Sequence, residues 1–280
     1  MVSKEEEQIN LQLLLTKLIQ EKVNLIHIFM ENKSILLSLN LLNRLEKNHQ
    51  NQFRKMITLS PRIVDYESEI LNIFNNCSVK NIEYINLPFL KLDQIKNLEK
   101  YEKIFSLKNQ GLVSSIGIFC QFINDAISIA RFTNKFSHLI VPVSIFTSPD
   151  LIKVLFKTTR KNNIAVFCYN PFSKENYLSE EKDSYKFYNP IFDLLLKGKN
   201  TIIDRITNNS NKNFKQFSIR YLLDFPFQSI LVNMTSSTEV DFFLKSLRNP
   251  QLNGSELLLI QKSIDPEVYF ESPKKAKIEN

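Results

Sequence analysis

The chain has 280 residues, 43% of them hydrophobic, and carries a formal net charge of +7. That is apolar material enough for one large domain or two small ones, and it excludes a disordered or fibrous protein. No apolar run reaches the ~20 residues of a membrane span, and the start, MVSKEEEQ, lacks the basic segment and apolar core of a secretory leader.

The positive charge has no obvious target. Lysines are spread along predicted helices and interleaved with glutamate, and the only dense basic cluster is Lys274, Lys275 and Lys277. Without a basic stripe or a recognisable module, a nucleic-acid partner is not expected. The three cysteines, Cys77, Cys120 and Cys168, lie far apart in apolar settings and read as reduced core thiols of a cytoplasmic protein. No CxxC spacing occurs and the three histidines are scattered, so no metal site is expected. Only four glycines occur: Gly111, Gly117, Gly198 and Gly254. Neither GxGxxG nor GxxxxGK[ST] is present, which disfavours a glycine-rich phosphate loop.

Along the chain, short apolar runs alternate with longer stretches of helical spacing. A first helix is predicted over Glu5–Gln20, then a strand over Asn24–Phe29 and a helix over Ser34–Glu46. Strands at Lys55–Leu59, Ile82–Leu87, Val113–Ile118, His138–Val143 and Ile164–Tyr169 follow, separated by helices at Asp65–Asn75, Asp93–Gln110, Ile123–Phe132 and Asp150–Asn162. Ser34, Asp65, Asp93 and Ser148-Pro149-Asp150 read as caps. Residues 173–213 are a long polar excursion, rich in Lys, Glu and Asn, with a helix at Tyr188–Lys197. A helix over Phe214–Asp224, a strand over Ser229–Val232 and helices over Thr238–Arg248 and Ser255–Ser263 complete the pattern. Sustained strand–helix alternation with nearly continuous apolar strands implies an α/β fold with a buried parallel sheet. A doubly wound sheet and most of a TIM barrel fit this pattern equally well. The lack of a glycine-rich first turn weakens the dinucleotide-binding doubly wound form.

Five stretches are more specific. They are VSKEEEQINLQLLLTKLIQEKVNLIHIF (2–29), IEYINLPFLK (82–91), GLVSSIGIF (111–119), IAVFCYNPFS (164–173) and QSILVNMTSSTEVDFFLKSL (228–247). In order and spacing they resemble the aldo/keto reductase family, nearest to its galactose dehydrogenase-like branch. The match spans roughly residues 2–265, leaving 266–280 as a flexible tail. The resemblance implies a (β/α)8-type TIM barrel that lacks the family's N-terminal hairpin and first strand. Either that loss is real or the gene model is incomplete. A barrel one strand short leaves two open edges: another segment fills the slot, a partner chain does, or the barrel is distorted there, and the hypothesis is a protein-binding edge between Asn24–Phe29 and Ser229–Val232.

The resemblance also implies a catalytic tetrad of Asp, Tyr, Lys and His, in which the tyrosine protonates a carbonyl while NADPH gives hydride. The matching positions hold His27, Asn32, Leu59 and Lys91, and a shift of one or two residues recovers none of the four. The family's nicotinamide contacts after the fifth strand correspond to Phe119 and Cys120. Its pyrophosphate contacts correspond to Asn170 and Phe172, its strand-ending glycine to Asn233, and its adenine-reading asparagine to Phe243. Thr235, Ser236, Ser237 and Glu239 remain at the mouth of the last barrel helix, where either Thr235 and Ser236 offer an anion site or Ser236 or Ser237 merely caps the helix. Phe119, Phe172, Phe242 and Phe243 would fill the cofactor cleft.

The expectation is a non-catalytic aldo/keto reductase-like protein that binds or regulates, with no cofactor and no catalytic residue. The alternative is a divergent NADP-dependent oxidoreductase acting on an aldehyde or sugar, with Lys91, His27 or Tyr169 as its proton donor.

Overall fold

The computed structural model describes residues 4–30, 35–49, 53–63, 65–77, 79, 81–88, 94–95, 101–172, 214–234, 236–248 and 252–264. The expected helix over 188–197, the rest of the excursion at 173–213, and the tail lie outside these residues.

Seven parallel strands form one sheet: β1 Leu25–Phe29, β2 Arg54–Thr58, β3 Ile82–Pro88, β4 Val113–Phe119, β5 His138–Pro142, β6 Ala165–Tyr169 and β7 Ser229–Leu231. Their order in the sheet is their order in the chain. This settles the choice between the two α/β forms. A doubly wound sheet reverses its strand order at a switch point. Crossovers that always step the same way, with one hand, put every helix on one face, and the other face is buried only if the sheet curls on itself. The helices are α1 Lys4–Gln20, α2 Ile35–His49, α3 Tyr66–Cys77, α4 Glu102–Asn109, α5 Ile123–Phe132, α6 Pro149–Lys161, α7 Phe214–Leu223, α8 Ser237–Arg248 and α9 Gly254–Ile264.

Local chemistry sets the ends of these helices. Asp65 caps α3 by accepting from the Ser68 N–H at 3.3 Å and its hydroxyl at 2.7 Å. Gly111 takes a left-handed φ of 76°, and Leu112 N–H donates back to Leu107 O at 3.1 Å, closing α4. Ser148 differs from expectation. It precedes Pro149 at the start of α6, but its hydroxyl makes no cap hydrogen bond. The proline supplies a fixed φ and lacks one of the N–H groups a cap would satisfy.

The strand faces separate two cores. The larger lies between sheet and helices and includes Ile57, Ile85, Ile116, Leu139 and Val166. The smaller fills the barrel lumen with Met56, Phe119, Ile140 and Phe167, against which Leu25, Tyr84, Tyr169 and Leu231 pack. The buried thiols of Cys77, Cys120 and Cys168, none of them in a disulfide, belong to these layers.

The sheet has two edges, β1 and β7. Neither strand contains a fully buried residue, whereas all of β5 is buried. The helical layer nonetheless continues across this seam. α1 packs against both α2 and α8, and Lys17 Nζ lies 2.9 Å from Asp241. Among the described residues the barrel thus has one strand fewer than eight, and a helix spans the opening.

Candidate functional site

The lumen holds a row of polar side chains, each placed there by the two-residue alternation of its strand. Thr58 lies on β2, Asn86 on β3, Ser115 on β4, His138 on β5 and His27 on β1. Ile57 O can only accept, so the Asn86 amide nitrogen faces it at 3.2 Å and donates also to Thr58 Oγ1 at 3.1 Å. Asn86 Oδ1 then faces His138 Nε2, which donates to it at 2.6 Å. In the neutral ring, His138 Nδ1 accepts from the Ser115 hydroxyl at 3.0 Å. His27 Nε2 closes the row 2.7 Å from Thr58 Oγ1.

Burial keeps both imidazoles neutral. It lowers His27 to about 4. It also lowers His138 to about 3, aided by the charges of His27 and Lys108. Neither ring is poised near neutral pH, where a general acid or base would sit.

Above this row the lumen is aromatic. Phe119 packs 4.2 Å from Tyr169 and 5.0 Å, edge-on, from Phe29, measured between ring centres. His27 lies 4.5 Å from the Phe29 ring. Tyr169 donates its phenol to Cys120 O at 3.2 Å, and burial pushes its pKa up. Burial also pushes up the Cys120 thiol, which is fully enclosed. Among the described residues no three His, Cys, Asp or Glu side chains converge as a metal site would need.

Of the tetrad positions, His27 stands in the lumen. Leu59 does not. It is 1% exposed and packs with Ile57 between sheet and helices, so the inward residue at that level is Thr58. The one-residue difference puts its side chain on the opposite face of the sheet. Asn32 and Lys91 lie outside the described residues.

The four phenylalanines expected in one cleft divide into two groups. Phe119 belongs to the lumen. Phe172 and Phe243 stack with centres 5.5 Å apart and planes within 10°, with Phe242 edge-on to Phe243. At the mouth of α8, Ser236 Oγ accepts from Glu239 N–H at 3.4 Å and lies 2.8 Å from Thr238 Oγ1. That is the geometry of a cap. Thr235 lies outside the described residues.

Reading residue types alone misses Thr58, Asn86, Ser115 and His138. The signal was present as polar residues in the inward phase of otherwise apolar strands: Asn86 in IEYINLP, Ser115 in VSSIGIF and His138 in HLIVP.

No family profile matches the sequence, nor does any curated protein. Solved structures do. An aldo-keto reductase from Bacillus halodurans, in its holo form, superposes with a TM-score of 0.67 at 12% identity, over 91% of this chain and 87% of that one. The fold is that of the aldo/keto reductases. An aldo/keto reductase from Klebsiella pneumoniae, in complex with NADP and acetate, aligns with a TM-score of 0.67 at 13% identity, covering 95% of this chain and 88% of that one. A glycerol dehydrogenase from Gluconobacter oxydans gives 0.65 at 13% identity over 94% and 87% of the two chains. These identities speak to the aldo/keto reductase fold alone.

Proposed function

We propose that this chain is a non-catalytic member of the aldo/keto reductase fold, serving as a binding or regulatory subunit for another protein. One observation carries the reading: every polar side chain of the lumen row is hydrogen-bonded to another, and both imidazoles are held neutral. Such a row has a structural use, because buried polar groups are costly unless paired. Among the described residues, the row offers no imidazole that titrates near neutral pH to protonate a substrate carbonyl. Of the donors considered for the alternative, His27 is neutral and faces Thr58, and Tyr169 already donates to a backbone carbonyl.

The residues present also fit NADP poorly. A dinucleotide brings anionic phosphates, and the first turn of α8 carries the Glu239 carboxylate, with Lys215 3.8 Å away and beside it. Ser236 is engaged in capping. The stacked Phe172 and Phe243 present apolar faces. NADP therefore belongs to the alternative reading only. Three buried thiols outside any disulfide suit a reducing compartment such as the cytoplasm.

The test is titration of the full chain with NADPH, followed by fluorescence, alongside a turnover assay with aldehydes and sugars. Silence to millimolar NADPH and no turnover are expected. Micromolar binding with turnover that falls on changing His27 or Tyr169 would establish the oxidoreductase instead.

A further inference from the structure

We infer that the seam between β1 and β7 accepts an extended, uncharged segment of about five residues from another polypeptide, which adds to the sheet as an eighth strand. The inference deepens the binding reading above and rests on it.

Backbone phase is the first argument. Arg54 N–H donates to Asn24 O at 2.7 Å, and Met30 N–H to Thr58 O at 2.9 Å. Residues 24, 26, 28 and 30 therefore direct their peptide groups at β2, and by alternation Leu25, His27 and Phe29 direct theirs away from it. On the other side, Gln228 N–H donates to Val166 O at 2.8 Å. Residues 228 and 230 face β6, so Ser229 and Leu231 face the seam. The two edges thus present N–H and C=O groups toward one another, without a sheet partner among the described residues. A greasy ligand would leave these groups unsatisfied, at a real cost. A peptide strand satisfies both edges at once.

The walls are the second argument. The seam opens into a cavity of about 550 Å³. On its inner side Leu25 and Leu231 pack on the lumen cluster. On its outer side stand Leu14, Leu15 and Leu18 of α1. Among the described residues no Lys, Arg, Asp or Glu lines it. Side chains of a strand point alternately to its two faces, and here leucines stand on both, with His27, Asn24 and Asn233 as neutral polar groups at the margins. The segment must therefore be uncharged throughout, with β-branched or aromatic residues on both faces. β1 has five residues, which sets its length.

The third argument concerns whose segment it is. The two long stretches outside the described residues, 173–213 and 265–280, contain no run of five residues free of charge, asparagine and proline. A partner chain is the occupant that fits.

The test uses the full chain and a fluorescein-labelled peptide with a Val-Ile-Val-Phe-Val centre and lysines at both ends, followed by anisotropy. Saturable binding at micromolar peptide is expected. N-methylation at alternate residues should weaken it at least tenfold, because it removes the donors for one edge. Ser229→Pro, which deletes an N–H facing the seam and none in the ladder, should keep the melting temperature and lose binding. Hydrogen exchange adds a second readout: amides of Leu25, His27 and Phe29 should exchange fast in the free chain and slow with peptide. No anisotropy change up to millimolar peptide, or equal binding of the N-methylated peptide, overturns the inference. So does protection of those amides in the free chain, which would place its own segment or a second copy there. If peptide and NADPH are both silent, only the added strand falls. If NADPH binds and turns over, the non-catalytic reading itself falls.

Discussion

His138 and Asn86 meet at 2.6 Å although their strands, β5 and β3, are not neighbours. β4 runs between them, and its residue in register with both is Gly117. The imidazole crosses β4 where there is no side chain to block it. One glycine thus decides that the polar row can span the lumen.

Gly117→Ala should be severely felt. A methyl carbon there would lie 2.4 Å from His138 Cδ2 and Nε2 and 2.5 Å from the His138 carbonyl oxygen. The ring can tilt, but the carbonyl belongs to the sheet. A loss of about 1–3 kcal/mol is expected from urea denaturation. Combining it with His138→Ala should give less than the sum of the two single effects, since the ring contact is shared.

Asn86→Leu preserves bulk but leaves His138 Nε2–H without its acceptor and removes the amide donor to Thr58 Oγ1. Each unsatisfied buried group costs about 1–3 kcal/mol. The urea midpoint at neutral pH should fall accordingly, whereas the fold, by far-ultraviolet circular dichroism, should persist.

The two histidines predict the acid limb of stability. Folded, they titrate near 4 (His27) and 3 (His138), against 6.5 for an ordinary imidazole. Between pH 6.5 and 4 the unfolded chain holds protons that the folded chain does not. Stability therefore falls as pH falls through that window, by up to about 1.4 kcal/mol per pH unit for each ring, and these rings give no slope above it. His27→Gln should flatten the profile by about half, measured as unfolding free energy at successive pH values.

On the opposite side of the sheet, Arg220 of α7 and Glu256 of α9 form an ion pair at 3.0 Å, both nearly buried. Glu256 also accepts from Asn253 N–H at 2.9 Å, while its own N–H donates to Asn253 Oδ1 at 2.8 Å, so the pair is tied to a capping box. Arg220→Met strands a buried carboxylate and should cost about 3–5 kcal/mol. Glu256→Gln, which can keep the cap, should cost less. Thermal melts of the two variants give the ranking.

The elements were legible in the apolar pattern of the chain. Each of the seven predicted strands lies within a residue or two of its place, because a strand buried on both faces must be a short apolar run and little else in the chain looks like one. That pattern also carried the resemblance, which rests on the order and spacing of those strands. Tertiary structure decided what periodicity cannot carry. The sequential strand order made the sheet a barrel, and the phase of each strand sent Thr58 into the lumen and Leu59 out of it. The lumen row joins residues from five strands, up to 111 positions apart between His27 and His138. No local pattern announces such a row, because it depends on which faces of distant strands the closing sheet turns toward each other.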